Sequence, residues 1–231
     1  MKTEERPHLR QGRVHEIVAS ISGDAAGRIF AAGIAGRLGS SCLWIVGRRL
    51  PTLCPHGLHG LIDVNAVTLV HAQTPLEGLW VAEEALRSGV VRTVVVEEER
   101  PVDLLQSRRL QLAAEAGRAV GMILGPDSGN TAVETRWRCT AMPGAEEKQI
   151  RFDWEQVKNK KGSNIKVEAV RDEATGRMRV VAPSGGGTGV EEPARPGSTL
   201  RDRVGGGRRL EALLAEHGGA SGGTDLRHVT G

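Results

Sequence analysis

Gly89-Val90-Val91-Arg92-Thr93-Val94-Val95-Val96-Glu97-Glu98-Glu99 decides the fold. Val90 to Val96 is almost wholly apolar and rich in β-branched residues. A strand of that composition is buried on both faces, which is the situation of a central strand in a parallel sheet. Parallel neighbours need crossover helices, and the flanking sequence supplies them. Thr74-Pro75-Leu76-Glu77 is a capping box with Pro at the first helical position. The helix that it opens is expected to turn Leu76, Leu79, Trp80 and Leu86 inward and to end before Gly89. On the other side, Asp103-Leu104-Leu105-Gln106 caps a second helix whose expected apolar face is Leu105, Leu112, Ala113 and Ala116.

Working outward, Val14–Ala19, Leu43–Val46, residues 67–71 and residues 119–124 read as further strands. Residues 25–38 read as a helix with Phe30, Ile34 and Leu38 on one face and Gly39 as its stop. Repeated βα alternation means a mainly parallel sheet flanked by helices, with right-handed crossovers. After residue 130 the pattern changes. Thr135–Met142, Gln149–Lys158, Ile165–Val170 and Arg177–Ala182 follow one another without helices, so antiparallel pairing is expected at the C-terminal side of the sheet.

Composition sets the outer limits. Thirteen of the 31 glycines fall in residues 182–231, too little apolar surface to offset ordering, so residues 183–231 are expected to be a disordered tail. One island, Arg208 to His217, spaces Leu210, Leu213 and Leu214 along one helical face. It is either a frayed helix or a docking helix for a partner's groove. Residues 1–11 read as a short polar arm without a signal-peptide apolar core. The 231 residues contain no run long and apolar enough for a membrane span, and a net charge of +3 does not by itself argue for nucleic acid. Three scattered cysteines, Cys42, Cys54 and Cys139, fit a reduced cytoplasmic setting.

In an open parallel sheet, ligands bind beyond the carboxyl ends of the strands. The first crossover therefore matters most: Ser20-Ile21-Ser22-Gly23-Asp24-Ala25-Ala26-Gly27-Arg28-Ile29. A phosphate-binding loop needs G-x-x-x-x-G-K-[ST]. The interval from Gly23 to Gly27 is one residue short, Arg28 stands in the lysine's place and Ile29 in the hydroxyl's. Glu97 stands where a magnesium-binding carboxylate belongs, though with the failed loop it reads rather as an acidic, solvated strand end, and Gly47-Arg48-Arg49 offers positive charge where hydrolysis wants a carboxylate. These features read as a degenerate nucleotide site with no cofactor. Cys54, His56 and His59 have metal-like spacing without a second half, so no metal is expected. Lys158, Lys160 and Lys161 form a basic turn, read either as a solvated turn or as a contact to nucleic-acid phosphates.

Several of these segments resemble RecA. Gly12-Arg13-Val14-His15-Glu16-Ile17 resembles the strand that leads into its phosphate loop, and Glu84 to Glu97 resembles its helix and magnesium-site strand. Gly60-Leu61-Ile62-Asp63-Val64-Asn65, Ser128-Gly129-Asn130 with Arg136-Trp137-Arg138, and Val157-Lys158-Asn159-Lys160 are similar to further RecA segments. Within that superfamily, Gly23-Asp24-Ala25-Ala26, Leu43-Trp44-Ile45, Ser107 to Ala114 and Glu134 to Arg138 look like the inducible mutagenesis A (ImuA) family. The resemblance implies a RecA-like (P-loop NTPase-type) domain over residues 12–182. It also implies a role in translesion synthesis beside an ImuB-like protein, an error-prone polymerase and RecA itself. Against RecA, Arg48 holds the position of the catalytic glutamate, both DNA loops are cut away and the N-terminal arm is short. The resemblance therefore implies an adaptor without catalysis and with weak or indirect contact to nucleic acid. A RecA-fold inhibitor of cell division, an ATPase with an unusual loop and a DNA-binding protein are the alternatives.

Overall fold

The computed structural model describes residues 7–18, 25–39, 41–143 and 149–181. Gly23, Asp24 and the tail face of Leu210, Leu213 and Leu214 lie outside them, as do residues 1–6 of the expected arm. Nine strands form one sheet: β1 (Arg13–Val18), β2 (Cys42–Gly47), β3 (Val67–Ala72), β4 (Thr93–Glu97), β5 (Val120–Gly125), β6 (Thr135–Met142), β7 (Gln149–Asn159), β8 (Lys166–Asp172) and β9 (Met178–Val181). Their order is β3-β2-β4-β5-β1-β6-β7-β8-β9. The first six are mutually parallel and the last three extend the sheet in antiparallel pairs. The fold is therefore α/β, mainly parallel, with antiparallel strands on its C-terminal side.

The helices follow from local sequence. α1 (Ala25–Leu38) crosses from β1 to β2, and the single turn α2 (Pro55–Leu58) lies on the way to β3. α3 (Pro75–Ser88) starts on Thr74, whose hydroxyl accepts from the Glu77 amide at 3.2 Å, while the Glu77 carboxylate reaches past the cap to the Gln73 amide at 2.8 Å. α4 (Leu104–Gly117) starts on a complete capping box between Asp103 and Gln106. Gly117 lets α4 pass against α3: a Cβ there would stand 1.9 Å from the Leu86 carbonyl oxygen.

Two cores lie on the two faces of the sheet. One surrounds α1 and joins Ile17, Trp44, Val46 and Val95 to Phe152, Trp154, Val167 and Ala169 of the antiparallel strands. Phe30 sits at its centre, 5.2 Å from the Trp137 ring and 5.0 Å from the Trp154 ring, the latter edge-on. α1 is consequently buried around most of its circumference, although its last residue, Leu38, is exposed. The other core packs Leu79, Ala82 and Leu86 of α3, and Leu110, Ala113 and Ala114 of α4, on Val14, Ile45, Val94 and Val96.

Three expectations need correcting here. Leu76 and Trp80 of α3 point outward, 68% and 58% exposed, and so do Leu105 and Leu112 of α4, 70% and 66% exposed. Ala116 is exposed as well. The helices approach the sheet through smaller residues, since Gly78, Ala82, Ala113 and Ala114 permit close packing and leave the longer side chains on the outer stripe. Val90 is exposed and precedes the strand, which begins at Thr93.

Candidate functional site

The strand order reverses direction between β2 and β4: from β2 the chain runs outward to β3, and from β4 it returns inward to β5. Such a switch point opens a crevice past the carboxyl ends of the strands. Two sequence-predicted residues meet beside it. Arg28, in the first turn of α1, grips Glu97, the last residue of β4, through a two-pronged pair: Nε donates to Oε1 at 2.9 Å and Nη2 to Oε2 at 2.8 Å. Trp44 Nε1 also donates to Oε1, at 2.8 Å. The remaining Arg28 donors hold the loop after β2, with Nη2 on the Pro51 carbonyl at 2.5 Å and Nη1 on that of Thr52 at 3.3 Å.

This pair is enclosed, the side chains being 13% and 3% exposed, so Glu97 is not the solvated strand end expected from its acidic run: the guanidinium and the indole take the place of water around it. A planar guanidinium matches a carboxylate on both oxygens, a geometry a lysine cannot provide. Burying two charges is tolerated only when both are paired and hydrogen-bonded, and here they are. Chemically, the cation that a phosphate loop would aim at a nucleotide is turned onto the carboxylate that would hold magnesium. These residues do not fit a magnesium nucleotide: the Glu97 oxygens are taken by Arg28 and Trp44, and Ile29 offers no hydroxyl.

One residue further on the environment differs. Glu98 lines an open crevice of about 680 Å³ with Arg48, Arg49, Gln73, Thr74 and Arg100. Burial, reinforced by the Glu99 charge, pushes its carboxyl up to about 7. Arg48, which stands where a hydrolytic carboxylate was sought, is an exposed member of this crevice.

A second polar cluster, on β1 and β6, was not found from sequence. Glu16 accepts from the Ser128 amide at 3.0 Å and from Arg136 Nε. Arg136 also pairs with Asp127 at 3.0 Å and donates to the Asn130 carbonyl at 2.9 Å. Asn130 in turn donates to the Ser107 hydroxyl at 2.9 Å and the Val102 carbonyl at 3.1 Å. Buried His15 bonds the Thr135 hydroxyl at 2.7 Å and the Arg10 carbonyl at 3.1 Å. Burial pulls its imidazole down to about 4, against the raising effects of that carbonyl and of Glu134. The signal was present in the sequence: His-Glu inside an otherwise apolar strand requires buried partners, and the basic residues flanking Trp137 include one.

The basic turn belongs to the same cluster. Lys158 Nζ donates to the Val133 carbonyl at 2.8 Å and to that of Asn130 at 3.3 Å, and Lys160 Nζ to that of Ala132 at 2.6 Å. Desolvation, followed by the charges of Lys160 and Arg136, lowers the Lys158 ammonium below its usual value. Lys161 is exposed in the turn. Cys54, His56 and His59 lie in and around α2, and among the described residues no group of three or more His, Cys, Asp or Glu side chains is arranged to hold a metal ion.

No protein-family model matches the chain, and no curated protein matches it.

Proposed function

We propose that this chain is a RecA-like platform that has given up nucleotide chemistry and serves as an adaptor in damage-induced mutagenesis. Its partners in that reading are an ImuB-like protein of the polymerase family, an error-prone polymerase and RecA, and its setting is the cytoplasm. The observation that carries the proposal is the Arg28–Glu97 pair. The RecA resemblance assigns β1 to the strand that feeds the phosphate loop and β4 to the strand that carries the magnesium carboxylate. In the sheet these strands are separated only by β5, which lets α1 deliver Arg28 to Glu97. An inactive nucleotide site that had merely decayed would leave an unpaired buried carboxylate, at a cost of several kcal/mol. A complementary guanidinium instead converts the site into a structural clamp between α1, β4 and the loop after β2.

The loop after β5 supports the same reading. Residues 127–134 are pinned by Glu16, Arg136, Lys158 and Lys160 and form a short fixed connection. Lys158 and Lys160 commit their ammonium groups to backbone carbonyls, which speaks against their serving as free phosphate contacts. In this reading the surface that serves function is a protein-binding one.

The test is affinity purification of the tagged full chain from cells exposed to a DNA-damaging agent, with mass spectrometry of what is retained. Co-purification of an ImuB-like protein and polymerase subunits is the expected result. Retention of cell-division proteins instead would favour the RecA-fold division inhibitor and sink the mutagenesis reading.

A further inference from the structure

The crevice past the carboxyl ends of β2 and β4 opens on the α3 side of the sheet, where Ile45, Ala72, Pro75 and Gly78 form its apolar wall. Two of its features serve no purpose within the fold. Glu98 is only 6% exposed, yet its carboxyl makes no hydrogen bond or ion pair with any described residue. Gly78 leaves room for it, since a Cβ there would stand 3.6 Å from Glu98 Oε1. Buried polar groups are ordinarily partnered, and the open side of this one is the crevice. Arg48, Arg49 and Arg100 are exposed at the mouth, and their guanidiniums are likewise unpaired among the described residues. Elsewhere in the fold arginines engage carboxylates, as Arg28, Arg87, Arg136 and Arg151 do.

We infer that this crevice is a binding site for a small organic acid with two carboxylates, held by Arg48, Arg49 and Arg100 at the mouth and by the Glu98 carboxyl within. A guanidinium matches a carboxylate on both oxygens. With Glu97 already paired and Glu98 protonated, three guanidiniums face one ionised carboxylate, Glu99, leaving two positive charges uncompensated. The volume of about 680 Å³ lies in the range of small-molecule sites. A phosphate group fits less well. A helix start holds phosphate through free backbone N–H groups, but at α3 Pro75 has none, the Glu77 amide donates to the Thr74 hydroxyl and the Gly78 amide to the Thr74 carbonyl. Glu98 makes the binding depend on pH. Its protonated form donates to a ligand carboxylate and its ionised form repels one. The charged groups around it are Arg48 and Arg49 from the loop after β2, and Glu97, Glu99 and Arg100 on its own segment. In the first turn of α3 the Glu77 carboxylate is held on the Gln73 amide, while β3 and β5 meet the crevice end with Ala72 and Gly125. Because burial pushes Glu98 up to about 7, the acid is bound together with a proton at neutral pH. The inference is independent of the adaptor reading.

Titration calorimetry of glutarate into the full chain at pH 6.5 and pH 8 tests it. Both glutarate carboxyls are largely ionised over this range, so a proton taken up on binding belongs to the protein. One site is expected, with affinity roughly eightfold higher at pH 6.5, the ratio of the protonated Glu98 populations. Glu98→Gln, whose amide still donates, is expected to bind equally at both pH values, within twofold. Arg48→Gln/Arg49→Gln and Arg100→Gln are each expected to weaken binding at least fivefold. Arg92→Gln removes the same charge just before the start of β4, away from the crevice, and is expected to change nothing. Circular dichroism confirms folding, and the exposed arginine variants carry the test if Glu98→Gln fails to fold. No heat from glutarate up to 20 mM at pH 6.5 overturns the inference. So does binding that survives every arginine substitution, that keeps its pH dependence in Glu98→Gln, or that is surpassed tenfold by inorganic phosphate.

Discussion

The two faces of the sheet solve the same packing problem differently. On the α1 side, one helix is enclosed between the parallel strands and the inner residues of β7 and β8, and the aromatic residues Phe30, Trp137 and Trp154 converge on it. On the opposite side, α3 and α4 form a single outer layer that touches the sheet through alanines and a few leucines and leaves Leu76, Trp80, Leu105 and Leu112 in solvent. The first arrangement concentrates stability and contains the Arg28–Glu97 clamp. The second concentrates unsatisfied apolar surface. Arg28 and Glu97 are thus enclosed on one face, while the longest apolar side chains of α3 and α4 stand outward on the other.

The comparison breaks most readily at Phe30. Phe30→Ala is expected to destabilise the fold by about 4 kcal/mol, read from the denaturation midpoint, because the aromatic cluster cannot collapse around the cavity. A loss below about 1 kcal/mol would mean that the α1 side is not the dominant core. Next comes the clamp. Arg28→Met leaves Glu97 buried and unpaired and is expected to cost about 3 kcal/mol, with most of it recovered in the Arg28→Met/Glu97→Gln double variant. If the single and double variants are equally unstable, the pair is not the unit that acts.

A third prediction concerns pH. Glu98 holds its proton more tightly in the folded chain, so its contribution favours folding at low pH and is lost as the pH rises from about 4.5 to about 7. His15 has the opposite slope: its buried neutral ring contributes fully above 6.5 and that contribution is lost as the pH falls towards about 4. The two oppose each other across the same window. Glu98→Gln is therefore expected to stabilise the protein at pH 8 by on the order of 2 kcal/mol and to make stability rise with pH between 4.5 and 6.5. An unchanged pH profile in Glu98→Gln would refute this account of the crevice. The smallest effect is expected on the outer face, where Leu112→Ser should change stability by less than about 0.5 kcal/mol. A larger loss would mean that this side chain belongs to the core after all.

Much of this architecture was legible in the sequence because it is written locally. The caps at Thr74 and Asp103, the run ending in Glu97 and the helix-free stretch after residue 130 each need only a few neighbouring residues. The direction of α3 and α4 was not legible for the converse reason. α4 carries two apolar stripes, Leu105–Leu112–Ala116 and Leu110–Ala113–Ala114, and periodicity gives their spacing without saying which one meets the sheet. The candidate site was half legible. Arg28 was identified as a departure from a motif and Glu97 as a carboxylate standing at a motif's position, yet they lie 69 residues apart and their union depends on β4 and β1 being close in the sheet. What the motif reading treated as two separate features is one interaction. The buried His15, Glu16 and Arg136 network escaped for a similar reason, since the pairs that tie β1 to β6, His15 with Thr135 and Glu16 with Arg136, each span 120 residues of chain.

The clamp is the claim on which the functional account stands, and titration calorimetry of ATP with magnesium into the full chain tests it most directly. The account predicts no binding heat up to millimolar nucleotide, in the wild-type chain and in Arg28→Lys alike. Micromolar binding by the wild-type chain, lost on replacing Arg28 with Ala, would contradict it, because that arginine would then be holding phosphate and not Glu97.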